Sequence, residues 1–347
     1  MTELREYIEK LSGDDEADRI YAAEDIGFSN RPEGVQPLLA RLPAEPSRAV
    51  RDAIFAALQH IEDDAVIEGS LDLLDSEDSF LRNQAVEILR ARGPRTIPCL
   101  DRAFREGSND RRKFVIDVLA KLGDAATSGI YDRALTDTDI NVVIAAVENL
   151  GARRKADFRE RIEALVSPEA HPMLLCAAIE ALAQIGEAGT VNAVRERLGG
   201  AARLPGYLRP AYLKLLGATG CPDDVAEVAC LIGREGLEGY ALNALTSLRS
   251  RYPGLDLPVS LVEPLLKIAS SGAPSLLGYE AVRSMAGLLH MKDVSDFVSR
   301  SLAHPDKAVR IAAIQTMREA GSSGAEGILR ECLSRETDEE VRQALTR

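Results

Sequence analysis

The chain has 347 residues, too many for one ordinary hydrophobic core, so several domains or a repeat array are expected. Aromatics make up 4% and Trp is absent, and small aliphatic residues recur at helical spacing, which favours close-packed helices over a β architecture. With 42 Lys or Arg against 55 Asp or Glu the net charge is −13, which argues against a general nucleic-acid-binding role.

The first element expected is a short helix over 2–11, with Leu4, Ile8 and Leu11 on one face, so residues 1–14 form an N-terminal cap. This acidic start lacks the apolar core of a secretory signal and the Arg-rich character of a transit peptide. Beyond it, one apolar position recurs: Ile26, Leu58, Leu89, Leu119, Leu150, Leu182, Leu216, Leu245, Met285 and Met317. The steps are 32, 31, 30, 31, 32, 34, 29, 40 and 32 residues. Four residues before each stands Ala22, Ile54, Ala85, Val115, Ala146, Ala178, Tyr212, Ala241, Ala281 or Ala313. A small residue there lets two helix backbones approach.

A unit of about 31 residues holds two helices of roughly three turns with short connections. One such pair cannot bury its apolar faces, whereas about ten stacked pairs can, so the predicted fold is an all-α solenoid running through 1–347 as a single domain. Gly27, Gly93, Gly123, Gly151, Gly186, Gly217 and Gly321 follow the first helices and read as C-terminal stops. The step of 40 marks an irregular repeat over 249–278, where Pro253, Gly254, Pro258, Pro264, Gly272 and Pro274 predict loops around a short helix. The final stretch, 337–347, reads as one unpaired helix, a C-terminal cap.

An aliphatic-Arg pair opens many first helices: Val50-Arg51, Leu81-Arg82, Leu208-Arg209, Val309-Arg310 and Val341-Arg342. Asp78, Asp110, Asp139 and Asp306 occupy the preceding turns. In this the chain resembles HEAT repeats, in the short form of the phycobilisome-lyase-like group of bacterial proteins. The resemblance implies a right-handed superhelix of about ten hairpins whose second helices line the concave side. Two units depart from it: Val143 stands where Arg is expected, and the unit at His171-Pro172 lacks the Asp. The Asp is expected to cap a helix, and the Arg to pair with the acid of an adjacent turn, giving a ladder along the stack.

Catalytic signatures are missing from the sequence. There is no GxxxxGK[ST], no HExxH, and the four histidines (His60, His171, His290, His304) are scattered, none followed by Glu. The last point argues against the di-iron hydroxylase that resembles this fold, and acidity argues against a HEAT-like DNA glycosylase. Five cysteines, Cys99, Cys176, Cys221, Cys230 and Cys332, form no CxxC pair and fit a reducing compartment, the cytoplasm. The longest apolar runs, such as Val142–Val147, are too short to span a bilayer.

Two surface features are the candidate partner sites. The second-helix segments LDRAF (100–104), YDRAL (131–135), VRERL (194–198), VSRSL (298–302) and LRECL (329–333) place Arg102, Arg133, Arg195, Arg300 and Arg330 at equivalent positions. Such a column would grip acidic groups bidentately; the alternative is surface Arg paired within its own helix. Residues 1–94 hold 10 Lys or Arg against 21 Asp or Glu, and Asp14, Asp15, Glu16, Asp63 and Asp64 would face a basic surface. The expected function is a non-enzymatic scaffold binding one or more proteins, with no cofactor, metal, nucleic acid or membrane involved. The alternative is a phycobilin-lyase-like enzyme that handles a chromophore.

Overall fold

The 3.6-residue apolar period yields helices throughout the described part of the computed structural model, residues 2–122, 127–271, 275–321 and 324–346, with no strand among them. The first half contains α1 (Thr2–Lys10), α2 (Glu16–Ser29), α3 (Val35–Arg41), α4 (Arg48–His60), α5 (Asp64–Leu73), α6 (Ser79–Arg92), α7 (Ile97–Glu106), α8 (Asn109–Leu122), α9 (Ser128–Ala134) and α10 (Ile140–Ala152). There follow α11 (Arg159–Leu165), α12 (Pro172–Ile185), α13 (Thr190–Leu198), α14 (Arg209–Thr219), α15 (Val225–Leu231) and α16 (Glu238–Arg251). The last are α17 (Val262–Ser270), α18 (Ser275–Ser284), α19 (Lys292–Ser301), α20 (Lys307–Glu319), α21 (Ala325–Arg335) and α22 (Glu339–Thr346).

Chain neighbours pack against each other, α1 on α2, α3 on α4, α5 on α6, α7 on α8, α11 on α12, α13 on α14, α15 on α16, α17 on α18, α19 on α20 and α21 on α22 among them, so the first and last helices are packed rather than unpaired. By contacts the chain divides into two compact units, Met1–Asn149 and Leu150–Arg347. In the first, the first helices α2, α4, α6 and α8 pack in succession, and the second helices α3, α5 and α7 likewise. In the second, α12, α14, α16, α18 and α20 form the row of first helices. Stacked hairpins of this kind make an α-solenoid.

The recurring anchors lie in the core: all are fully buried except Met317, which is 5% exposed. The residues four positions earlier are buried as well, Tyr212 included. Helix starts follow from side chains that accept free amide hydrogens. Asp15 accepts from the Asp18 amide, Ser47 from Val50, Asp78 from Phe80, and Asp306 from Ala308. The unit without the Asp uses His171 Nδ1, which accepts from the Met173 amide at 3.3 Å, with Pro172 in the first helical position.

Three expectations are corrected. Gly27, Gly151 and Gly217 lie inside α2, α10 and α14 rather than ending them. A Cβ on Gly27 would stand 2.7 Å from Ala57 Cα, on Gly151 2.5 Å from Ala181 Cα, and on Gly217 3.0 Å from Ala244 Cα. These glycines are where neighbouring first helices touch. Gly93 (φ +62°) and Gly186 (φ +78°) are true stops. Asp110 lies inside α8, and Ser108 takes the turn, accepting from the Arg111 amide. Pro264 stands in the first turn of α17, where its missing N–H costs nothing, so the long loop of the irregular repeat is Tyr252–Pro258. Gly123, Gly272 and Pro274 lie outside the described residues.

The expected ladder exists and is longer than the motif suggested. Seven arginines, Arg19, Arg51, Arg82, Arg112, Arg209, Arg310 and Arg342, each donate to a carbonyl in the turn before their own helix. Four of them also reach the next turn: Arg19 to Glu45, Arg51 to Asp78, Arg112 to Asp137 and Arg310 to Glu336, at 2.7–3.0 Å. Arg19 and Arg112 lack the preceding aliphatic residue, which is why the pair motif misses them.

Other arginines close helix C-termini, where free carbonyls carry negative charge. Arg92 of α6 donates to Leu58 O, Gln59 O and Ile61 O at the end of α4. Arg251 of α16 donates to Gly217 O at 2.8 Å, at the end of α14. Arg92→Ala is expected to lower unfolding free energy by about 1.5–2 kcal/mol, read as a shift in urea midpoint at unchanged slope. An unchanged midpoint would mean that water replaces the guanidinium without loss.

Candidate functional site

The second helices carry the five equivalent arginines, and the structure divides them into two groups. Arg102 of α7 meets Glu68 of α5, with Nη2 2.5 Å from Oε2. Arg133 of α9 donates to Asp101 of α7. Arg195 of α13 meets Glu227 of α15 at 2.6 Å and also donates to Asp224. Glu68, Asp101 and Glu227 lie on the neighbouring second helix and Asp224 immediately before it, so the pairing is neither free nor confined to one helix. The carboxylates answer the guanidiniums: Arg102 holds the Glu68 carboxyl below its usual value. Burial pulls the Arg195 guanidinium down, but Glu227 and Asp224 outweigh it and raise it. Glu227 also accepts from the Tyr212 hydroxyl at 3.0 Å and the Ala201 amide at 2.7 Å. Burial first, then Glu227, pushes the Tyr212 phenol up. This half of the column braces the stack.

Arg300 and Arg330 differ. Arg300 of α19 donates only to its own helix, to Asp296 O at 3.2 Å, and Arg330 of α21 makes no hydrogen bond or ion pair among the described residues. Both are exposed. One repeat before Arg300 the chain has Leu266 and Ile268 where Arg102 and Arg133 find acids. Arg300 borders a cavity of about 470 Å³ lined by Ile268, Phe297 and Val309 together with Ser301, His304 and Asp306. Arg330 borders one of about 720 Å³, with Leu329, Leu333 and Leu345. Such a setting suits a segment that offers both an acid and an aliphatic side chain.

The acidic residues of the N-terminal third are dispersed among local duties. Asp15 caps α2, Asp63 caps α5 by accepting from the Ala65 amide at 2.8 Å, and Asp64 pairs with Arg95 at 3.0 Å. Asp14 and Glu16 are exposed and form no ion pair among the described residues. All five cysteines are free. Burial raises the thiols of Cys99, Cys176 and Cys332, which disfavours the reactive thiolate. Among the described residues no group of three His, Cys, Asp or Glu could hold a metal ion, and no helix is long and apolar enough to cross a membrane.

Sequence reasoning missed the exposed apolar residues on first helices, among them Tyr21 (64% exposed) and Phe28 (73%). Phe28 packs edge-on against His60 with ring centroids 5.6 Å apart, beside a cleft of about 320 Å³ between α2 and α4. The signal was available, since Tyr21 and Phe28 are seven apart and off the Ala22/Ile26 stripe.

The family model for HEAT repeats matches residues 4–90 and 262–347. Over these two segments the chain carries HEAT repeats. Residues 91–261, outside the match, also form successive α-helices among the described residues. No curated protein matches. Among solved structures, one similar chain is an engineered protein, 18% identical, with 100% of this chain and 98% of that one covered and a TM-score of 0.47. Another comes from the structure in which Kap95p binding induces the switch loops of RanGDP to adopt the GTP-bound conformation; it is 12% identical with a TM-score of 0.65. That match covers 99% of this chain and 56% of the other. At such identity it speaks for the fold alone.

Proposed function

We propose that this HEAT-repeat protein is a non-enzymatic scaffold whose second-helix face, at α19 and α21, takes an acidic segment of a partner protein. The observation that carries this reading is the contrast within one column: Arg102, Arg133 and Arg195 are matched by neighbouring carboxylates, whereas Arg300 and Arg330 are not. An unmatched guanidinium beside a cavity that also holds aliphatic side chains can form a bidentate pair with an incoming carboxylate while an aliphatic neighbour packs on those side chains. The excess of acid over residues 1–94 would favour a basic second surface on the partner. Five unpaired thiols support a reducing compartment such as the cytoplasm.

The test compares wild type, Arg300→Glu/Arg330→Glu and Arg102→Glu/Arg133→Glu on an array of acidic peptides and in affinity capture with quantitative mass spectrometry. The exposed pair at 300 and 330 should leave folding unchanged and weaken binding about tenfold or more, a loss steepened by salt. The pair at 102 and 133 should instead lower stability. Equal retention of the same peptides and protein by wild type and Arg300→Glu/Arg330→Glu would sink the assignment.

A further inference from the structure

A second cluster stands on the first helices and uses none of the residues above. Across α16, α18 and α20, Arg249 and Arg283 converge on Glu319, one on each carboxylate oxygen, with Arg283 Nη2 2.8 Å from Oε2. Arg249 Nη1 also donates to Arg283 O at 2.8 Å. The two arginine side chains are only 18% and 28% exposed. Two guanidiniums thus share one carboxylate, and the ion-paired trio carries a net positive charge. Burial, with the Arg283 charge beside it, pulls the Arg249 guanidinium below its ordinary value.

The trio is also short of an acceptor. Arg283 Nη1 is closed to solvent and has no hydrogen-bond partner. A buried charged donor left unsatisfied is unfavourable, and such atoms are rare in folded proteins. Beside the trio lies a cleft of about 320 Å³, whose lining includes Thr246, Ser250, Tyr279 and Glu280. Tyr279 is engaged, its hydroxyl 2.7 Å from Gln315 Oε1. Glu280, the one further charge on the lining, is within 3.4 Å of the Thr246 hydroxyl.

We propose that this cleft is an oxyanion site, taking a phosphate or carboxylate group between Arg249 and Arg283. Arg249 is held in place by the Arg283 carbonyl and by Glu319. Arg283 is the mobile partner: its guanidinium turns from its present position so that Nη1, now without an acceptor, donates to the anion. Two guanidinium forks suit an oxyanion in geometry as well as charge. Glu280 opposes binding, because it places a like charge on the same lining.

The experiment titrates inorganic phosphate, and separately acetate, into the full chain at low ionic strength by calorimetry. Wild type should show one saturable site. Arg283→Met should bind about tenfold more weakly or worse, and Glu280→Gln about threefold more tightly. Saturation by phosphate alone assigns a phosphate group, and saturation by acetate as well assigns any carboxylate; both support the site. No saturable heat with either probe overturns it, as does folded Arg283→Met binding as well as wild type. Should Arg283→Met fail to fold, Glu280→Gln decides: unchanged affinity there also overturns the site.

Discussion

Gly27→Ala is expected to melt several degrees below the natural chain, Gly151→Ala further below, and Gly327→Ala slightly above. Helix propensity alone predicts the same sign for all three, since Ala is favoured over Gly in a helix by about 0.8–1 kcal/mol. Packing reverses it at two sites. At Gly27 the added methyl meets Ala57 Cα at 2.7 Å and Ala57 Cβ at 2.8 Å, and at Gly151 it meets Ala181 Cα at 2.5 Å. The obstacle is backbone, not the end of a flexible side chain, so the first helices must separate. Overpacking of this kind costs about 1–3 kcal/mol, and separation also loosens the buried row that includes Ile26 and Leu182. Gly327, in α21, meets nothing within 4 Å, so Ala should gain about 0.5–1 kcal/mol there. Urea unfolding of the three variants in one buffer checks the signs. Gly27→Ala as stable as wild type would mean that the hairpins slide apart at little cost.

These glycines also show where the sequence stops being legible. A period near 31 and a buried anchor in each unit can be read from residue types alone, because both express the apolar stripe. A helix stop and a close helix crossing, however, both ask for a residue without Cβ. Gly186 and Gly151 therefore look alike until the backbone shows φ +78° at one and a neighbouring Cα at the other. Ser108 hid for a similar reason: Asp110 offered a better-known capping residue two positions away, and helix boundaries are set by which oxygen reaches the amide.

The candidate site was legible as a list of arginines but not as a pattern of pairing. Subtracting 34 residues from Arg102 gives Glu68, and subtracting 32 from Arg133 gives Asp101, so the repeat itself supplies the register. Applied to Arg300 the same steps give Leu266 and Ile268. For Arg330, however, the 34-residue step gives an acid, Asp296, with which it does not pair, and Arg195 pairs forward with Glu227, so the period alone does not draw the division. Nor does it draw the Arg249–Arg283–Glu319 cluster, because Arg249 and Glu319 are 70 residues apart, on first helices that are not adjacent.

The largest single loss is expected from Glu45→Ala. Glu45 has a fully buried side chain, and Arg19 opposite it is 7% exposed. The carboxylate accepts from Arg19 Nε at 3.0 Å and Nη2 at 3.1 Å, from Arg41 Nε at 2.8 Å and from the Ser47 amide at 2.9 Å. It joins the turn before α4 to the start of α2. Removing one member of a buried pair leaves the other charge desolvated without compensation, at a cost of about 3–5 kcal/mol. An Arg19→Met/Glu45→Leu double variant should recover much of this, since well-packed apolar replacements avoid the stranded charge. Burial pushes the Glu45 carboxyl up, but Arg19, the Ser47 amide and Arg41 together outweigh it and hold the group below its ordinary value. A folded-state value below the unfolded one contributes stability above about pH 4.3, and that contribution disappears as pH falls through the folded value. Unfolding free energy should therefore drop on acidification below that point, and more shallowly in Glu45→Gln. Asp137 and Glu336 are also lowered and share the wild-type slope, so Glu45→Gln should reduce it without abolishing it. An identical slope in the two proteins would show that Glu45 titrates alike in the folded and unfolded chain, and that its guanidinium partners hold the turn by geometry rather than by charge.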